Sequence, residues 1–348
     1  VNGNGTGKLI LNGQLLLTSA GNTDVRTFGN VGDTEFATQY SPPNYIRSRI
    51  GTLILKGNVG APLGETAQNV ATVGFDGNTP RRIWIASANG ASVFSNRFLI
   101  APLGADSGKY QEFRVKAPTT VANFIGQMRI DHTVWWFVDS GCLARIKTLN
   151  KGDSKTDIPV YMSGGGTTEV YGAASTQFPH KFILSNGVFL VNNTSGEATH
   201  GPVTVCASGV FGGAGSIRGN VSCESGGVVS PGNSVGTLTV SNATFAAGGI
   251  LHWEVNHPNA DKLNVLDVLN VSAGAVTVKV VNAGSIQAGT TYEAFGYKTL
   301  TGNMQDDIVV DVSGLAGITA QVEATAGGIG IVLVPEPALA GLAGLALL

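Results

Sequence analysis

Short apolar runs alternate with Gly, Asn and Ser along residues 209–255, and residues 236–240 (GTLTV) are one such run. Val, Ile, Leu and Thr favour the pleated backbone of a β-strand. Gly and Asn between the runs permit the positive φ angles at which a chain turns. This alternation predicts the stacked coils of a β-solenoid rather than a set of separate hairpins.

A repeated sequence motif supports a repeating coil in the same region. Residues 206–209 (CASG) and 223–226 (CESG) share the pattern C-x-S-G, and residues 246–249 (AAGG) repeat it more weakly. The spacing is close to the period of about 20 residues found in short solenoid repeats. Each coil would bury its inward side chains only when a neighbouring coil stacks on it. We therefore predict an all-β fold, a parallel β-helix (β-solenoid) with irregular loops.

The pattern weakens toward the N-terminus but keeps its β character. Residues 51–59 return to the coil pattern, whereas residues 60–160 carry strands separated by longer turn segments. Amphipathic helices with a 3.6-residue period are scarce in the sequence. We expect residues 291–312 and 318–334 to supply the last strands and to cap the solenoid, because an open end would expose unpaired backbone.

The segment at 226–240 (GGVVSPGNSVGTLTV) resembles the SPGN-containing segment of autotransporter-associated β-strand repeat proteins. Residues 260–265 (ADKLNV) are similar to the strand that usually follows it, and the resemblance extends over about 183–281. It implies a surface-exposed β-solenoid without catalysis. We accordingly divide the chain into a β-rich solenoid or lobe with long loops at 1–160 and a β-solenoid with these repeats at 161–333.

The residues at 334–348 carry a second resemblance. Val334, Pro335, Glu336 and Pro337 precede an apolar run, an order similar to the start of a PEP-CTERM sorting signal. We expect the chain to be a piece of a longer reading frame in which a basic cluster completes the signal. The resemblance implies an exosortase-type processing enzyme and passage through the inner membrane of a Gram-negative bacterium. A short C-terminal hydrophobic helix would anchor the chain transiently, through residues that include Ala338, Leu339, Leu342, Leu345 and Leu348.

Composition narrows the classes of function. Charged residues make up 13% of the chain, about half of the usual quarter, and Gly accounts for 49 of 348 residues. The net charge is −2 and the basic clusters are short, so we expect no nucleic-acid partner. The five histidines are dispersed, and we expect no metal and no cofactor.

The three cysteines are too few for a disulfide framework. If Cys206 and Cys223 occupy the same place on successive coils, their Cα atoms lie about 4.8 Å apart, within the disulfide range. The sequence leaves two possibilities open, a bond between these cysteines or a pair of buried, reduced thiols.

Candidate binding and catalytic residues are few. Trp135 and Trp136 point to opposite faces of a predicted strand, so one ring could stack on a sugar ring while the other packs in the core or under a loop. Asp131 and His132 form the best local cluster for a polysaccharide lyase or glycosidase. Alternation along a strand puts these two side chains on opposite faces, so we expect no catalytic residues.

Together these patterns predict a non-enzymatic, secreted or surface-associated protein with a structural or adhesive role in an extracellular polysaccharide matrix. Two alternatives stay open. A β-helix can carry a polysaccharide-active enzyme, although fold analogy says little about function. The chain can also be the passenger domain of an autotransporter, and the complete reading frame would separate that alternative from the sorting signal.

Overall fold

The structure of the chain is a computed structural model. It describes residues 9–11, 24–26, 34–36, 45–48, 51–55, 72–75, 81–87, 90–94, 97–100, 111–151, 157–174 and 178–336. The predicted apolar tail helix therefore lies outside the described residues. Within them the chain is almost entirely β-strand, and the strands, numbered in chain order, form three sheets.

The first sheet takes one strand from each coil, and all of its neighbours are parallel. Its strands are, in spatial order, β1 (Leu9–Leu11), β3 (Thr34–Phe36), β5 (Gly51–Leu55), β7 (Arg81–Ile85), β10 (Gln111–Val115), β12 (Val134–Val138), β14 (Pro159–Ser163), β16 (Lys181–Leu184), β18 (Val203–Val205), β20 (Val221–Cys223), β23 (Ala243–Phe245), β27 (Val268–Asn270) and β30 (Thr299–Thr301).

The second sheet takes the intervening strands and is parallel along its main path. These are β2 (Asp24–Arg26), β4 (Tyr45–Ser48), β6 (Thr72–Phe75), β9 (Arg97–Ile100), β11 (Val121–Ile130), β13 (Leu143–Lys151), β15 (Thr167–Val170), β17 (Gly187–Val191), β19 (Gly209–Gly213), β21 (Val228–Pro231), β24 (Ile250–Asn256), β28 (Val276–Asn282) and β31 (Ile308–Asp311). Two further strands attach to it, β8 (Ala91–Phe94) beside β11 and β25 (Asn259–Ala260) beside β24.

This regular alternation confirms the predicted all-β parallel β-helix. Up to β21 the strands enter these two sheets in turn, except that β8 and β9 both join the second, so each coil stacks on the coil before it. Burial alternates along the strands, and β12 has its first, third and fifth side chains buried. Phe113 on β10 and Trp136 on β12 are register partners, and their rings stack with centroids 4.4 Å apart. The core is a column of such inward side chains, which explains why each coil depends on its neighbours.

The third sheet closes the coils in the C-terminal part. It contains β22 (Thr237–Val240), β26 (Lys262–Val265), β29 (Thr290–Gly296), β33 (Gly328–Pro335) and β32 (Ile318–Ala324), in that spatial order. The first three strands are parallel, whereas β33 runs antiparallel to β29 and to β32. The last strands therefore reverse direction where the next coil would continue the parallel stack.

The division expected after residue 160 falls inside β14, which pairs with β12 on one side and β16 on the other. The same sheet thus runs through that position. Among the described residues the helix found is α1 (Met304–Asp307), and no helix there is long and apolar enough to cross a membrane.

Candidate functional site

The outer face of the first sheet carries aromatic side chains where solvent-facing strands usually carry polar ones. Trp84, Trp135, Phe137 and Tyr161 all lie on this side of β7, β12 and β14, and all are half-buried. Their sequence neighbours Ile83, Ile85, Val134, Trp136, Val138, Val160 and Met162 are buried in the core. We name this group of rings (Trp84, Trp135, Phe137 and Tyr161) the aromatic face.

The rings of the aromatic face lie in two rows that follow the axis of the solenoid. Trp135 and Tyr161 are register partners in one row, and their rings stack with centroids 5.2 Å apart and planes 22° apart. In the other row Trp84 and Phe137 flank Arg114, which is the register partner of both. The parallel register therefore collects rings from separate coils on one side of the molecule.

Basic side chains lie over two of these rings. The Nζ of Lys116 lies 4.5 Å from the ring centroid of Trp84, and the Cζ of Arg114 lies 5.9 Å from that of Phe137. Cations within about 6 Å of an aromatic face are attracted by the negative charge of the ring face. The outer face thus presents positive charge beside apolar rings.

The acidic partners lie deeper than the cations. The Nε1 of Trp84 donates to Oε1 of Glu112 at 2.7 Å, and the Nε of Arg82 lies 3.6 Å from Oε2 of the same carboxylate. The Glu112 side chain is 8% exposed, against 49% for Arg82. The Nε of Arg114 donates to Oδ1 of Asp139 at 2.8 Å. The carboxylate of Glu112 therefore holds Trp84 and Arg82 in position, and that of Asp139 holds Arg114.

The structure separates the two tryptophans that the sequence singled out. Trp136 is 2% exposed, stacks on Phe113 and donates from Nε1 to Oγ1 of Thr168 at 2.9 Å. Trp136 is therefore the ring that packs in the core and is not available to stack on a sugar ring. Trp135 is the ring on the outer face.

Cys206 and Cys223 do not occupy the same place on successive coils, which was the condition for a bond between them. The register of β18 and β20 pairs Val205 with Cys223, which places the cysteines one position out of step. Cys223 is buried, Cys206 is half-buried, and both are free thiols. Burial raises the pKa of the Cys223 thiol to about 11, so it stays protonated and unreactive at neutral pH.

A buried carboxylate that the sequence did not mark as a site holds the corner at residues 230–236 (SPGNSVG), here named the SPGN corner. Asp261 accepts hydrogen bonds from the backbone N–H of Gly236 at 2.8 Å and of Glu254 at 2.9 Å. Its own backbone carbonyl accepts from Nε1 of the buried Trp253 at 2.6 Å. Gly232, with φ of +85°, turns the corner, and a Cβ there would collide with the carbonyl oxygen of Ser234. The signal in the sequence was the aspartate of ADKLNV at 260–265.

The predicted sorting motif begins within the folded part. Val334 and Pro335 end β33, where their register partners on β32 are Thr319 and Ile318. The backbone N–H of Glu336 donates to the carbonyl of Gly317 at 2.8 Å, and the Glu336 side chain is exposed. Pro337 and the apolar residues at 338–348 lie outside the described residues.

The two residues considered for catalysis, Asp131 and His132, have different surroundings: Asp131 forms an ion pair and His132 is buried in the core. The Nε of Arg129 donates to Oδ2 of Asp131 at 2.8 Å, while His132 is 4% exposed and contacts the backbone carbonyl of Thr133. Asp131 and His132 thus face different surroundings, as alternation predicts. In the described part of the chain, no three His, Cys, Asp or Glu side chains are grouped to hold a metal ion.

No protein-family model matches the chain, and no curated protein matches its sequence. Function is therefore inferred from the residues and from the fold that positions them.

Proposed function

We propose that the chain is a non-enzymatic, secreted or surface-associated protein with a structural and adhesive role in an extracellular polysaccharide matrix, such as that of a biofilm. The aromatic face carries this proposal, because apolar rings beside cations on an outer sheet surface suit contact with a polymer. The parallel coils hold these rings in register on a continuous hydrogen-bonded sheet. Such a scaffold binds with little loss of conformational freedom.

A scaffold rather than an enzyme is the function that the described polar side chains favour. Asp131 is bonded to Arg129, and Glu112 and Asp139 are bonded to side chains of the outer face. These carboxylates thus serve to orient neighbours. A general acid or base must instead reach a proton of a bound substrate. The resemblance of residues 226–240 to autotransporter-associated repeats is consistent with this role.

Delivery to the cell surface is proposed to use the motif at Val334–Pro337. Pro335 and Glu336 are exposed at the end of β33, where a processing enzyme can approach them. The apolar residues that follow would hold the chain at the inner membrane until an exosortase-type enzyme cuts it. The released protein would then reside at the outer membrane or in the extracellular matrix of a Gram-negative bacterium.

The proposal is tested by expressing the complete reading frame in its own host and following the C-terminus by mass spectrometry. We expect a mature form cut near 335–337 in the matrix fraction, and an uncut, membrane-held form for Glu336→Ala. Glu224→Ala, which removes an exposed carboxylate on another coil, is the matched control and should be processed normally. An uncut wild-type protein in the outer membrane would overturn the sorting proposal and favour the autotransporter passenger.

A further inference from the structure

We infer that the aromatic face binds an anionic polysaccharide, a linear polymer whose sugar rings carry carboxylate groups. This inference rests on the proposed function and names the class of matrix polymer that the protein contacts. The site comprises Trp84, Trp135, Phe137 and Tyr161, with Lys116 over the first ring and Arg114 over the third.

The aromatic side chains are a local feature of the first sheet and not a requirement of its fold. Continuing the row from Trp135 and Tyr161, the register partners on the following coils are Ile183, Thr204, Ser222 and Thr244. Ser222 and Thr244 are exposed, and these coils are stacked in the same way as the aromatic ones. Stacking of coils therefore does not need rings at these positions.

The direction of the rows suits an extended ligand. Adjacent parallel strands lie about 4.8 Å apart, so the rows run along the solenoid across successive coils. Sugar rings carry apolar C–H groups, which pack against aromatic side chains. A linear glycan lying along the rows would contact the exposed parts of Trp135 and Tyr161, which stack on each other in one row, and of Trp84 and Phe137, which carry cations over their rings in the other.

The charges favour an anionic polymer over a neutral one. Arg82 and Arg114 have side chains that are 49% and 37% exposed, whereas those of Glu112 and Asp139 are 8% and 25% exposed. With Lys116 the group holds more positive than negative charges, although the whole chain has a net charge of −2. The cations also lie nearer to the solvent, so a carboxylate-bearing polymer meets positive charge first.

The test uses the purified chain and a pair of polymers with the same sugar backbone that differ mainly in charge, polygalacturonate and its methyl ester. Affinity electrophoresis and tryptophan fluorescence measure binding at low and at raised salt. We expect binding to polygalacturonate that weakens as salt rises, because the contacts are exposed ion pairs. Binding to the methyl ester and to dextran should be weaker by about tenfold or more.

Variants of the aromatic face test where the polymer binds. We expect Trp135→Ala and Lys116→Glu each to weaken binding to polygalacturonate by about tenfold, since ring and charge contacts at the centre of a site dominate affinity. Trp135→Tyr keeps a ring and should retain most binding. The matched controls lie at the second sheet, where Arg145 of β13 covers Tyr171, the residue after β15, at 4.7 Å. Tyr171→Ala and Lys147→Glu should bind like the wild type. Far-UV circular dichroism checks that each variant is folded.

Equal binding of the methyl ester would overturn the anionic class, and equal binding of single-stranded DNA would show a general polyanion surface instead. Unchanged binding by folded Trp135→Ala and Lys116→Glu would overturn the site. None of these results affects the location of the protein in its host, which tests the proposed function separately.

Discussion

A carboxylate oxygen of Asp261 lies 2.8 Å from the backbone nitrogen of Gly236 and accepts its hydrogen bond. The second carboxylate oxygen accepts from the backbone of Glu254 in the strand β24. Asp261 precedes β26, whereas Gly236 ends the SPGN corner and precedes β22, so one buried side chain links successive coils of the third sheet. This contact joins the SPGN segment to the ADKLNV segment.

Replacing Asp261 with Ala should destabilise the fold strongly. The substitution leaves two part-buried backbone N–H groups without this acceptor, at a cost of up to about 1–3 kcal/mol for each. Urea unfolding followed by circular dichroism measures the change in midpoint. Asp267→Ala removes a carboxylate that is 56% exposed, and it should change stability by less than about 0.5 kcal/mol. Equal effects of the two variants would contradict the role given to Asp261.

The same carboxylate should make stability depend on pH. Burial raises the pKa of Asp261 to about 7 from 3.8, and this outweighs the two backbone N–H bonds that lower it. Between these values the folded state holds a proton that the unfolded state has lost. The free energy of unfolding should therefore fall as pH rises from about 4 to about 7, by at most about 1.4 kcal/mol per pH unit. Asp261→Asn cannot titrate and should lose this slope, and an unchanged slope would refute the assignment.

His180 should make the free energy of unfolding depend on pH in the opposite direction. Its Nε2 donates to the carbonyl of Ile130 at 2.8 Å, and its Nδ1 accepts from the backbone N–H of Ile158 at 3.3 Å. One donating and one accepting nitrogen correspond to the neutral form of the imidazole ring. Burial lowers the pKa of His180 below its ordinary 6.5. The unfolded state therefore takes up a proton first, and stability should fall as pH falls below about 6.5.

His180→Gln should remove this loss of stability at low pH, because glutamine does not titrate. Urea unfolding at a series of pH values measures the effect. His252→Gln, which alters a half-buried histidine on the outer side of β24, serves as the control and should keep the wild-type dependence. A wild-type dependence in His180→Gln would count against a neutral, buried ring.

The neighbouring tryptophans should differ sharply in their effect on stability. Trp136→Ala opens a cavity beside Phe113 in the core and should cost about 3–5 kcal/mol. Trp135→Ala removes a half-buried outer ring that stacks on Tyr161 and should cost only about 1 kcal/mol. Urea midpoints of the two variants measure the difference, and similar losses would contradict the assignment of inner and outer faces.

The cysteines should react as separate thiols. Half-buried Cys206 should be modified by a thiol reagent in the folded protein, whereas buried Cys223 should react only after unfolding. Cys206→Ser should remove the rapid reaction and leave only the slow reaction of the two buried thiols, Cys142 and Cys223. A thiol count that rises after chemical reduction would reveal a disulfide and contradict the observed register.

The repeating pattern of apolar runs and Gly or Asn corners was sufficient to predict the parallel β-helix. That pattern is local, because β propensity and positive-φ turns belong to short segments. Alternation also put Trp135 and Trp136 on opposite faces, and it separated Asp131 from His132. These predictions needed no knowledge of which coil lies beside which.

Which face points inward, and which residues stack, was decided by the tertiary structure. The C-x-S-G echo aligned Cys206 with Cys223, but the ladder pairs Val205 with Cys223, because loop lengths between coils set the register. Asp261 gains its role only when β26 stacks beside β22 and brings it to Gly236. The aromatic face is likewise assembled from separate coils by parallel pairing. Sequence alone therefore determined the class of fold. Contacts between distant coils determined the packing of the core, the hydrogen bonds of Asp261 at the SPGN corner and the composition of the outer surface.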